Sequence, residues 1–143
     1  MGGAGVVHGD VDMRLALVEA ELARYRAVFE AAHVGLAETD AHGIVRLANH
    51  RLATLLGVLP AFVIGKPLLH FVARGDTRAF RGVVHSLAEG GKLDVVLRLR
   101  PRDRGAPFYA EVRARAARVG SVLSLVWSVQ ACEGQRSSMQ GSA

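Results

Sequence analysis

Apolar residues from Val11 onward recur at Leu15, Val18, Leu22, Tyr25, Phe29 and Ala32, an unbroken alternation of four- and three-residue steps. That is the narrow seam of a coiled coil rather than the wider stripe of a helix buried on its own domain. The spacing predicts a helix over 10–32, opened by Asp10 or Asp12 as N-cap. Arg14, Glu19, Arg24, Arg26 and Glu30 fall off the seam. A long helix with one regular apolar edge needs a partner, so self-association through Val11, Leu15, Val18, Leu22, Tyr25 and Phe29 is expected. The Gly-rich residues 1–9 and the small, polar residues 131–143 carry no pattern and are read as disordered ends.

After the helix the period changes. Val34, Leu36 and Glu38 share one side of a strand ending at Thr39-Asp40, and "DAHG" supplies the turn to a second strand with Ile44, Val45 and Leu47. Asn49 ends that strand and is placed to cap the helix "HRLATLL", which Gly57 stops. Pro60, Gly65, Pro67 and Gly75 then allow only one-turn helices or loops. Asp76 or Thr77 opens a longer helix whose apolar face is Phe80, Val83, Val84 and Leu87, closed by Gly90-Gly91.

Three alternating segments follow. Leu93, Val95, Leu97 and Leu99 share a face, as do Phe108, Ala110, Val112 and Ala114, and then Leu123, Leu125, Trp127 and Val129. The expected strands are 34–39, 44–48, 92–100, 107–118 and 121–130, in an α+β domain over 33–130 with helices on one face of an antiparallel sheet. Val96, Val122 and Val126 point away from that core and are expected to join the dimer interface.

Composition narrows the classes. The chain has 143 residues, half of them hydrophobic and 22% charged, which suits one domain with an added element. No stretch reaches the roughly eighteen apolar residues of a membrane span, and the start lacks a signal-peptide pattern. A single Cys132 excludes an intrachain disulfide, so a cytoplasmic setting is expected. Of the eighteen basic residues sixteen are Arg, and the net charge is +5. Arg98, Arg100, Arg102, Arg104, Arg113, Arg115 and Arg118 could form a basic face for nucleic acid, but the aromatic platforms that stack on bases are nearly missing there. No phosphate-cradling glycine loop, HExxH or acid cluster points to catalysis, so the reading is of a non-enzyme.

The segment "VFEAAHVGLAETDAHGIVRLANHRLATLLG", the following "IGKPLLHFVARGD" and the three-strand ending together resemble a PAS domain over Arg24–Gln130. The most specific part is D-x-x-G-x-I-x-x-x-N followed by a helix ending in LLG. The resemblance implies a five-stranded antiparallel sheet with the 34–39 strand central. It also implies a sensory and dimerisation module of kinases, cyclases, chemoreceptors or transcription regulators, with an effector domain or signalling protein as partner.

Two departures limit what it implies. Flavin-type photosensors carry a Cys in the segment matching 49–56 and this chain has none, which argues against a covalent flavin adduct. Where many relatives read HPED, this chain reads "ARGD".

The resemblance makes haem the alternative cofactor, and an unliganded domain the leading expectation. His70, in "PLLHFV", would be its metal ligand, and Trp127 or Asn49 would orient a bound ligand. His85 lies off the apolar face of its helix and is expected to face water. The pocket itself, lined by Leu56, Phe62, Leu68, Val84, Leu97, Val112, Leu125 and Trp127, is expected to be apolar and small.

Overall fold

A computed structural model describes residues 2–103 and 105–132, including the side chains of 9–103, 105–118 and 120–132. Beyond Cys132, the expected disordered tail lies outside the described residues. The chain divides after Ala32 into a helical unit and a sheet-bearing unit.

The first unit is one helix, α1 (Gly2–Ala31). It begins well before the expected caps, so 2–9 are helical rather than disordered. Extending a formed helix costs no new nucleus, so neither aspartate has to start it. At 30 residues it is about 45 Å long. Along the seam, Val11, Leu15, Val18, Leu22 and Tyr25 are 49–62% exposed and Phe29 is half-buried. The Tyr25 hydroxyl donates to Glu21 Oε1 at 3.2 Å, one turn back.

The second unit opens with β1 (Gly35–Thr39) and β2 (Val45–Ala48), joined by a turn that Asp40 closes. Its Oδ1 accepts from the N–H groups of His42 at 2.9 Å and Ile44 at 3.0 Å. Desolvation pushes this carboxyl up, but those N–H donors and the nearby His42 and Arg46 outweigh it and hold its pKa below the ordinary aspartate value. Gly43, at φ 87°, supplies the left-handed residue. Then come α2 (His50–Leu56), α3 (Pro60–Val63), two 3₁₀ turns (Leu68–Phe71 and Arg74–Asp76) and α4 (Thr77–Ala88). The last strands are β3 (Lys92–Leu99), β4 (Phe108–Val119) and β5 (Val122–Ala131).

All five strands form one antiparallel sheet in the order β2-β1-β5-β4-β3. The β1 strand is interior, yet β5 rather than β1 holds the middle. As the last strand, β5 slots between β1 and β4, and its tryptophan-bearing face packs against α4. Pattern alone also could not say which side of β1 meets the core. It is the small side, Gly35, Ala37 and Thr39, while Leu36 and Glu38 lie on the other face. Leu47 likewise is exposed, and Val45 is the buried residue of β2.

The small residues of β1 make room for neighbours. Ala37 and Ala114 are the cross-strand partners of Trp127, one on each side, and their methyl groups leave space for the indole. Gly35 lies beneath α2, where a Cβ would sit 3.0 Å from the Leu52 Cα. Gly35→Ala is therefore expected to lift α2 and cost about 1–3 kcal/mol, read by urea unfolding. A loss within the roughly 0.5 kcal/mol of a neutral surface change would mean that the close approach does not matter.

Two further expectations change. Asp76 precedes α4 but makes no capping bond, because its Oδ2 accepts from the Arg98 N–H at 2.7 Å. Phe62 leaves the core, 55% exposed, with the Lys66 ammonium 5.1 Å from its ring. A helix as short as α3 cannot both follow Pro60 and turn Phe62 inward as well as Val63, which is fully buried.

Candidate functional site

The pocket expected from the sequence lies between the sheet and the helices, and three polar side chains are buried there: Thr39, Asn49 and Trp127. Thr39, Asn49 and Trp127 are each 0% exposed. All three are already engaged.

Asn49 does more than cap α2. Its Oδ1 accepts from Leu52 N–H at 3.0 Å, which is the cap, and also from Leu36 N–H at 2.9 Å. Its Nδ2 donates to the Val34 carbonyl at 3.1 Å. One amide thus ties the start of β1 to the first turn of α2, using donor and acceptor together. The Asn49 N–H adds a bond to the Leu36 carbonyl at 3.0 Å.

Trp127 stacks on Phe80 of α4, with ring centroids 5.3 Å apart. Its indole N–H donates to Thr39 Oγ1 at 2.9 Å, and that hydroxyl donates to the Asp40 carbonyl at 2.9 Å. The chain indole–hydroxyl–carbonyl leaves no spare indole donor for a ligand. Thr39 was the residue that sequence reasoning missed. Its only signal was its place two residues from Ala37 in a strand whose buried side was undecided.

Of the expected lining, Leu56, Leu68, Leu97, Val112, Leu125 and Trp127 are buried together in one cluster, with Val84 half-buried against it. They fill the space that they were expected to line. His70 lies elsewhere. It is exposed on the first 3₁₀ turn, at the rim of an open groove beside β3. His85 is 83% exposed in its side chain, 3.7 Å from Glu89.

Haem needs an inward histidine beside an apolar slot. Here the histidine faces out, the tryptophan donor is spent and packed side chains occupy the slot, so these residues do not fit it. No group of three or more His, Cys, Asp or Glu able to hold a metal ion occurs among the described residues. None of their helices is long and apolar enough to cross a membrane.

The outer face of the sheet carries Val96, Val122 and Val126, all exposed, and half-buried Leu36. On this face Ser124 is buried and its hydroxyl donates to Glu38 Oε1 at 2.9 Å.

Comparison with known proteins bears on this geometry. The family profile described as PAS fold matches residues 23–130. No curated protein matches the chain. Among solved structures, the PAS domain of an HTR-like protein from Haloarcula marismortui superposes with a TM-score of 0.71 at 20% identity, covering 85% of this chain and 99% of that one. A PAS domain from Colwellia psychrerythraea gives 0.69 at 21% identity, covering 78% and 96%. The PAS domain of a LuxR-family transcriptional regulator from Burkholderia thailandensis, solved with ethanol, gives 0.62 at 19% identity, covering 76% and 97%. At these identities the likeness is one of fold.

Proposed function

The chain belongs to the PAS family, and from that premise we propose that it is a non-catalytic sensory and dimerisation module of a signal-transduction protein. Neighbours of the same fold come from a two-component sensor histidine kinase and a LuxR-family regulator, which supports the signalling part of the reading. The observation that carries the dimerisation part is the seam on α1. Five apolar side chains on one edge of a helix this long stay at least 49% exposed in a single copy. Burying each against a second copy is worth about 1.5–3 kcal/mol, and a coiled coil is the arrangement that a 4-3 repeat fits. The exposed valines of the outer sheet face offer a second apolar surface to another copy.

Inside the domain the interior is packed. A small-molecule signal acting there would have to displace core side chains, so a signal delivered by a partner protein fits this interior better.

Replacing Leu15 and Leu22 with glutamate places two carboxylates at the seam, at a cost of about several kcal/mol unless they are paired. Light scattering should then report a monomer with the melting behaviour of 33–130 unchanged. A dimer that survives both substitutions would move the interface away from α1.

A further inference from the structure

We propose that the groove between the two 3₁₀ turns and the β3–β4 loop is a binding site for a small polyanion, one carrying two or more linked phosphoryl groups. The groove is open and encloses about 930 Å³, a size suited to a small molecule. Arg74 comes from the second 3₁₀ turn, Arg98 from β3, and Arg100 and Arg102 from the segment after it, with His70 on the rim. All four guanidiniums are exposed, and none pairs with a carboxylate among the described residues. The one carboxylate in the wall, Asp103, turns back to accept the Gly105 N–H at 3.0 Å. Asp76, the nearest alternative, is occupied by the Arg98 backbone.

Two of the guanidiniums are held in place. Arg98 lies over the Tyr109 ring with its central carbon 5.8 Å from the centroid, and Arg102 lies 5.7 Å over Phe71. Such contacts fix a planar fork without neutralising it. The backbone holds the frame, because Ala73 N–H bonds to the Arg98 carbonyl at 2.8 Å and Arg100 N–H to the Phe71 carbonyl at 2.7 Å. Four arginines line one groove without a carboxylate partner among the described residues, and a bound polyphosphate would supply that counter-charge while accepting forked hydrogen bonds. Leu69 and Pro101 add an apolar wall.

A compact anion fits better than a nucleic-acid strand. Along the sheet the basic strip is interrupted, since Arg113 is paired with Asp94 at 3.4 Å. The rings in reach, Phe71 and Tyr109, lie beneath guanidiniums and cannot stack on bases. This site is separate from the packed interior.

The test is calorimetric titration of the full chain with sodium tripolyphosphate at low salt, with orthophosphate and random duplex DNA as comparison ligands. Tripolyphosphate should bind and raise the melting temperature, and orthophosphate should bind far more weakly. Arg74→Glu with Arg100→Glu should weaken tripolyphosphate binding at least about tenfold. Arg115→Glu with Arg118→Glu makes the same charge change on β4 and should weaken binding clearly less than the groove pair does. Equal weakening by both pairs would reduce the effect to net charge and overturn the site. Absence of binding at low salt, or DNA binding that depends equally on both pairs, would overturn it as well.

Discussion

Asn49→Ala is expected to lower the unfolding free energy by about 3–5 kcal/mol, well beyond the loss of a helix cap. A cap alone is worth about 1 kcal/mol. Here the substitution also leaves the Leu36 N–H and the Val34 carbonyl without this partner beside a fully buried side chain, at about 1–3 kcal/mol for each group. Domains of this size have about 5–15 kcal/mol in total, so the variant should stand close to its unfolding transition at room temperature. Urea denaturation followed by circular dichroism reads the change. Asn49→Asp separates the two roles. It keeps an acceptor for the cap, loses the Nδ2 donor and buries a charge, so it should be little better than alanine. If Asn49→Asp were as stable as the parent, capping alone would account for Asn49, and its cross-link to β1 would carry no weight.

Trp127→Ala should be comparably severe. It empties the largest fully buried side chain of the domain, removes the stack on Phe80 and takes away the hydrogen-bond donor to Thr39. Large aromatic truncations in cores cost about 3–5 kcal/mol, the spread reflecting how far the site collapses. Trp127→Phe keeps a ring opposite Phe80 and loses the N–H, so its cost should be clearly smaller. Because the alanine variant creates an apolar void, added indole should bind there and raise its melting temperature, while leaving the parent unchanged. A parent protein that binds indole with a similar shift would show that the interior is not filled, and the domain would then be open to small apolar signals.

The sheet was legible because each strand declared itself. Period-two alternation in 92–100, 107–118 and 121–130 is a local property, and the structure places β3, β4 and β5 within two residues of those bounds. The hairpin was equally local, since Asp40 and Gly43 act within a few residues of themselves, as does the cap that Asn49 makes on Leu52. Candidate chemistry was not local. His70 looked inward because its sequence neighbours are apolar, but a 3₁₀ turn sends adjacent residues in different directions, and Leu68 and Phe71 took the buried ones. Trp127 was correctly placed on the inward face, yet its partner lies 88 residues away in Thr39.

By itself, then, the sequence determined the elements, the PAS family pattern and the seam on α1, all of which rest on spacing between near neighbours. The tertiary structure alone decided that β5 takes the middle of the sheet, that the small side of β1 faces inward, and that Asn49 and Trp127 are consumed by the fold. It also brought Arg74 to Arg98, Arg100 and Arg102 across a turn that no periodicity spans. The reason is physical: alternation fixes which residues share a face, but only packing against the rest of the chain fixes what that face meets and which donors remain unspent.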